Sequence, residues 1–329
     1  MSQPSPGRSC PLDYRYGPRA IATLPVFAAE TLYVAGGLYG NLAALDEIER
    51  MAAVEDQRVT ILFNGDFNWF NVADDGYTEV NDRVLAHRAI AGNVEVELGR
   101  SDSRAGCGCG YPDSVDHATV DRSNEIHARL RATASRHPAL TARLARLPRQ
   151  ARCQIGDTRV GIVHGDADSL AGWRFGIDAL DAADSAATLP AYFRDAEVDV
   201  FACSHTCLPA MREVALAQRS GLIANNGAAG MPNFRGERYG VITRISERAS
   251  PHAPLYSARI GATRVEALAV RYDAQKFARV FLADWPPGSP AHASYWSRID
   301  AGTALPLAAA MPRPAGCATV GVACQVAAG

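Results

Sequence analysis

Several side chains of metal-ligand type stand at the C-terminal ends of apolar runs. Asp66 follows "ILFNG", Asn93 and Glu95 follow "AIAG", His164 ends "VGIVH", and His205 follows "VFACS". A lone histidine at a strand end is more often a structural residue than a ligand. Four such groups after four runs, each beside a Gly, Ser or Asn turn, would meet at one edge of a sheet. Carboxylate and imidazole together suit zinc, iron or manganese. Cys207 lies two residues beyond His205, so in an extended segment the two side chains share a face. Cys107 and Cys109 sit in "AGCGCGYP", where glycines let the backbone fold closely over an ion. That C-x-C spacing is tighter than structural zinc motifs use, and incidental loop thiols are the alternative.

Other residues near these ends could meet a substrate. Trp69 and Phe70, in "GDFNWF", could wall a pocket. Arg174, in "DSLAGWRF", could grip a phosphate with two hydrogen bonds or form a surface salt bridge. Asn226, after Asn225 in "NNGAAG", could donate to an anion or simply shape a turn.

The elements that must hold these residues can be read from the hydrophobic pattern. "ETLYVAGG" and "RVTILFNGD" read as buried strands. Between them a helix starts at Asn41, with Leu42, Leu45 and Ile48 at helical spacing. A helical stretch covers residues 117–147, up to Pro148. "TRVGIVHGD", "VDVFACSH" and "GLIANNG" are further strands, and "YGVITRI", "PLYSARI" and "RVEALAVRY" alternate as antiparallel strands do. The expected boundaries are an extended arm over 1–28, one domain over 29–302 and a loose Ala/Pro-rich tail over 303–329. This order of strands and helices predicts two packed sheets with helices outside them.

Bulk composition narrows the function. The chain has 329 residues, 48% hydrophobic and 21% charged, which suits an ordinary globular protein with a sizeable core. A formal net charge of −2 excludes a general nucleic-acid footprint but leaves room for a small anionic substrate. Lys276 is the only lysine among many arginines, which reflects base composition more than function. The N-terminal "MSQPSPGRSCPLDYRYGP" lacks the apolar core of a signal peptide, and no stretch has the roughly 18 apolar residues of a membrane span. The expected location is the cytoplasm, with the eight cysteines as thiols or metal ligands. Oligomeric state is not set by any of these features.

The ordered series "GNLAALDEIE", "GD", "GN", "VHG", "SHT" and "NNGAAG" resembles the calcineurin-like metallophosphoesterases, in particular their small bacterial phosphodiesterase-like branch. The resemblance runs from about residue 30 to 300 and includes the closing "GSPAHASYWSRIDAG". It implies an α/β (α+β) fold, a four-layer αββα sandwich of two mixed β-sheets. It also implies a two-metal site. One ion would be held by Asp66, Asn93, His164 and His205, all present. The ligands of the other would stand at Gly37, Tyr39, Asp66 and Cys207, where only Asp66 keeps its type. The usual catalytic histidine after Gly-Asn is Val94. The implied function is hydrolysis of phosphoric mono- or diesters with one or two divalent transition ions (Zn, Fe or Mn) and a small phosphorylated substrate. Asn93 and Asp66 would orient the ion, and Tyr39 would supply a proton or hydrogen bond. Arg174, Asn226 and Trp69 are the candidate substrate contacts. Cys207, with Cys107 or Cys109, is expected to compensate for the missing ligands. The alternatives are a non-hydrolytic metal- or phosphate-binding relative, or a thiolate-containing metal site for redox or sulfur chemistry.

Overall fold

Apolar residues alternate between two faces along the central strands, and both faces are covered. In the computed structural model, which describes residues 5–8 and 10–317, the chain forms β1 (Val26–Ala28), β2 (Thr31–Ala35), β3 (Val59–Asn64) and β4 (Arg88–Ile90). It continues through β5 (Gln150–Ile155), β6 (Thr158–Val163), β7 (Val200–Cys203), β8 (Pro209–Ala215) and β9 (Ser220–Asn226). The last strands are β10 (Gly240–Ser246), β11 (Tyr256–Ile260), β12 (Thr263–Val270) and β13 (Arg313–Pro314). Seven strands form one sheet in the order β1-β5-β6-β7-β9-β8-β13, and six form the other in the order β11-β12-β10-β2-β3-β4.

Leu32, Val34 and Leu62 of one sheet pack against Val160, Ile162, Val200 and Ala202 of the other, making the core between the sheets. Their neighbours Tyr33, Ala35, Ile61 and Phe63 face a helical layer that includes helix Leu42–Ala53. On the far side, Val163, Phe201 and Cys203 pack with Leu189 and Phe193 of helix Ser185–Ala196. The result is the four-layer αββα sandwich. Period-two alternation explains it, because each central strand must bury both faces.

Helix Leu42–Ala53 begins where Asn41 accepts a hydrogen bond from the Ala44 N–H at 3.1 Å. It buries Leu45, Ile48 and Met51, each worth roughly 2 kcal/mol of apolar transfer. The stretch 117–147 differs from the single helix expected. It is two helices, His117–Ala134 and Pro138–Leu144. Proline lacks the N–H of a helix interior and disfavours helical backbone at the preceding residue, so Pro138 opens a new helix.

The chain ends also differ from the expectation. Within 1–28, Pro18–Ala22 is a helix, β1 is an edge strand parallel to β5, and Tyr14 is fully buried. Within 303–329, Leu307–Ala310 is helical and β13 pairs with β8, while residues 318–329 lie outside the described part. Apolar anchors such as Tyr14, Ile21 and Ala310 hold segments whose Pro, Gly and Ala content suggested looseness. Among the described residues six cysteines are free thiols, whereas Cys317 is disulfide-bonded, so the reading of every cysteine as a thiol or ligand is corrected there. Among the described residues no helix is long and apolar enough to cross a membrane.

Parallel pairing of β2–β3–β4 and of β6–β7–β9 brings the C-terminal strand ends to one edge of the sandwich. Asn64 joins the sheets there by donating to the Val163 carbonyl at 3.0 Å.

Candidate metal centre

Four lone pairs face one another at that edge. His164 follows β6 directly, and its Nδ1 lies 2.8 Å from the Asn64 carbonyl, which only accepts. Nδ1 therefore carries the hydrogen, and Nε2 presents a lone pair. His205 has the opposite arrangement. Its Nε2 donates to the Cys109 carbonyl at 3.0 Å, and its Nδ1 faces His164 Nε2 at 3.1 Å. Asn93 donates through Nδ2 to the Cys107 carbonyl at 3.0 Å, which turns its Oδ1 toward His164 Nε2 at 3.1 Å. Asp66 Oδ2 lies 3.3 Å from the same nitrogen. Asp66, His164 and His205 offer ligand atoms all within 4.8 Å of one another.

The charges within the cluster and its burial set the pKa directions of its members. Burial alone would push His164 down, but the Asp66 carboxylate outweighs burial and holds it above the ordinary imidazole value. Asp66 is likewise held below the carboxylate value, because His164, His205 and the Val94 N–H outweigh its burial. His205 is pushed down to about 3 by burial and by the neighbouring His164. One carboxylate oxygen, one amide oxygen and two imidazole nitrogens fit a divalent transition ion of the zinc, iron or manganese type.

Glu95 stands in the same turn but is a brace and not a ligand. Its carboxylate accepts from the N–H groups of Asp66 (2.8 Å), Gly92 (3.0 Å) and Asn68 (3.2 Å), and from Asn68 Nδ2 (3.2 Å). Those bonds fix the turn that carries Asp66. Burial and the nearby Asp66 charge still raise Glu95 to about 7.

Beside the cluster lies a small cavity of about 40 Å³. Its polar floor is Asp66 and His205, and Trp69, Tyr111, Trp173 and Tyr295 form aromatic walls. Tyr39, Cys207, Cys109 and Val94 complete it. The Tyr39 hydroxyl is 2.7 Å from Cys207 Sγ, and Cys207 Sγ donates to the His205 carbonyl at 3.2 Å. A Cβ added at Gly37 would come within 2.9 Å of the Tyr39 ring. The missing side chain at position 37 is thus the space into which Tyr39 folds. Tyr39, Asp66 and Cys207 also hold left-handed backbones, with φ of 55°, 52° and 61°. Among the described residues only Glu197 shares that state without being glycine, so this strain concentrates around the cavity.

The remaining candidates are placed as follows. Cys107 is buried and contributes its carbonyl to Asn93 and its N–H to Asn124 Oδ1 at 3.0 Å, but it does not line the cavity. No sulfur joins the cluster of close ligand atoms. Arg174 is exposed and meets neither the cluster nor the cavity; its backbone N–H bonds Asp166 at 3.1 Å. Asn226 is buried and ties β9 to Gly36 and Val241 through their carbonyls, at 3.0 and 2.9 Å, so it is a structural tie. Trp69 lines the cavity. Cys10, in the N-terminal segment, lies 3.3 Å from Ser169 Oγ and away from the cavity.

Tyr111, Tyr295 and Arg298 were not legible as site residues, and Tyr111 lines the cavity from the loop after Cys109. Tyr295 closes the cavity from helix Pro290–Ala301, and Arg298 from the same helix donates to the Cys207 carbonyl at 2.8 Å. Their i, i+3 spacing puts both on one helix face, but only the tertiary fold shows which face meets the site.

The fold is one that calcineurin-like metallophosphoesterases share. A metallophosphoesterase from Sphaerobacter thermophilus superposes over 83% of this chain and 100% of its own, with 17% identity and a TM-score of 0.52. A hypothetical protein from Pyrococcus horikoshii OT3 superposes over 85% and 100%, with 16% identity and a TM-score of 0.54. At such identity the likeness establishes the fold alone. No protein-family model and no curated protein matches the sequence.

Proposed function

We propose that this protein is a metal-dependent hydrolase of phosphoric esters that works from a single divalent transition ion. The observation that carries the reading is the cluster of four lone-pair donors, with both histidine tautomers set by backbone carbonyls so that no hydrogen points inward. Asp66, Asn93, His164 and His205 would hold the ion. When bound, a divalent ion polarises a phosphoryl oxygen and lowers the pKa of water.

The chain's own residues supply the rest. Tyr39 is held as a neutral phenol, since burial and the adjacent Cys207 push it well above 10. It therefore keeps its proton at ordinary pH, and it lines the cavity beside Asp66. It would take the place that a histidine at position 94 would have filled. Trp69, Tyr111 and Tyr295 line the cavity with aromatic rings, and a lowered local dielectric strengthens charge interactions there.

A second reading has its own support. Val94 cannot move a proton, and a cavity of about 40 Å³ does not admit an ester without movement. On that reading the protein binds a metal without hydrolysis. Elemental analysis of anaerobically purified protein, followed by a phosphoester screen with added Zn, Mn and Fe, separates the two. One bound ion per chain with turnover supports hydrolysis. One ion without turnover supports the binding protein, and no bound ion overturns both.

A further inference from the structure

A second pocket, of about 340 Å³, lies immediately outside the metal cavity. The wall between them is one residue thick. Tyr111 faces the inner cavity and Pro112 the outer pocket; His205 and Cys207 face inward, and Thr206 and Leu208 outward. Trp173 alone lines both. Its indole makes one hydrogen bond, from Nε1 to the Cys109 carbonyl at 3.1 Å, and ring contacts with His205 and Tyr111, at 5.4 and 5.8 Å between centroids. The inner cavity by itself is too small for an ester, and Trp173 stands between it and the larger pocket.

We infer that the outer pocket seats the organic group of the substrate and that Trp173 is the movable partition between that group and the metal centre. This rests on the phosphoesterase reading above. The lining defines the chemistry of the occupant. Pro112, Val115, Ile177 and Leu208 are apolar, Thr206 adds a hydroxyl, and Asp178 is the single charged residue. A carboxylate there disfavours a second phosphate, so nucleotide polyphosphates do not fit. The pocket matches a small uncharged alkyl or aryl group in an ester of an apolar alcohol.

Two measurements test this, one of them independent of metal. Cys109 and Cys207 line the inner cavity, while Cys153 and Cys203 are buried in separate cores. In metal-free protein, iodoacetamide labelling is followed residue by residue by mass spectrometry. Trp173→Ala should label Cys109 and Cys207 at least about tenfold faster than the wild type, with Cys153 and Cys203 unchanged. Trp173→Phe, which keeps the ring but loses the bond to the Cys109 carbonyl, should fall between them. If all four cysteines speed up in the alanine variant, it has loosened globally and the phenylalanine variant decides. Equal labelling of Cys109 and Cys207 in wild type and the deciding variant overturns the partition.

In zinc-loaded protein, phenylphosphonate should bind at least about tenfold tighter than inorganic phosphate by calorimetry. Leu208→Trp, which fills the outer pocket, should abolish that advantage and leave phosphate binding intact. No advantage in the wild type, or one that survives Leu208→Trp, overturns the assignment of the pocket. Failure to take up zinc overturns the parent reading and this assignment with it, while the labelling result still judges the partition.

Discussion

The Tyr39 hydroxyl lies 2.7 Å from the sulfur of Cys207, and both residues hold left-handed backbones beside Asp66. This pair occupies the half of the site where the family resemblance would place a second ion. Gly37 is what makes the arrangement fit, because any side chain there meets the Tyr39 ring. The side chains of Tyr39 and Cys207 therefore stand in that region, lining the cavity beside Asp66.

Gly37→Asp alone should not restore a second ion. The new Cβ would stand 2.9 Å from the Tyr39 ring, at a residue with φ of 65°. Left-handed backbone and crowding together should lower stability by roughly 1–3 kcal/mol. Thermal melting and elemental analysis check this. A variant as stable as the wild type and holding two ions would show that the ring moves aside freely.

Metal content should depend on the oxygen and nitrogen donors and not on sulfur. His164→Ala and Asp66→Ala should lose the ion, since each removes a member of the close cluster. The triple change of Cys107, Cys109 and Cys207 to Ser should keep one ion per chain. Elemental analysis of the purified variants gives the answer. Loss of the ion in the triple variant would mean that thiolates turn inward on loading.

Much of this was legible in the sequence because strand periodicity and turn residues are local signals. Asp66, Asn93, His164 and His205 each lie just beyond a strand end, so parallel pairing within each sheet and the packing of the two sheets bring them together. Tyr39 and Trp69 were accessible for the same reason, lying in the turns just after β2 and β3. Arg174 and Asn226 were misjudged because a loop's path and an amide's partners are tertiary facts. Asn226 proves to be consumed by carbonyls of Gly36 and Val241. Glu95 has the composition of a ligand, yet backbone N–H groups around it claim its oxygens. Nothing local distinguishes those two fates for a carboxylate.

That difference gives a prediction for Glu95. Glu95→Gln would place an NH₂ group where the carboxylate now accepts N–H donors. At least one buried donor would lose its partner, at a cost of roughly 1–3 kcal/mol. Chemical denaturation should show the loss, and zinc affinity should fall as the Asp66 turn loosens. Unchanged stability would mean the turn holds without the brace.

His127 should make stability depend on pH. It is buried against Trp69 and the Val94 carbonyl, and burial pushes it from 6.5 down to about 4. The native imidazole stays neutral, whereas the unfolded chain takes up a proton below about 6.5. The stability tied to His127 is therefore complete above that pH and is lost as pH falls toward 4. The loss is on the order of 3 kcal/mol over that window. Denaturation of wild type and His127→Gln between pH 8 and 4 isolates it. The difference between the two proteins should shrink steadily below pH 6.5, and a constant difference would show that the native residue protonates freely.

Tyr39→Phe is the most direct test of chemistry at the site. The substitution keeps the ring that packs against Gly37 and Phe70, so the fold and this packing should persist. It removes only the hydroxyl that contacts Cys207. Because none of the four metal donors is touched, zinc content should remain at one ion per chain. If the phenol gives its proton to the departing alcohol, kcat should fall by about 10²-fold or more, the usual size of a general-acid contribution. The loss should be largest for alkyl leaving groups. It should shrink for aryl leaving groups of low pKa, which depart without help. Steady-state kinetics over a series of esters, with metal content measured on the same samples, reads all three quantities. An equal loss across the whole series would assign Tyr39 to positioning, and no loss at all would remove it from the mechanism.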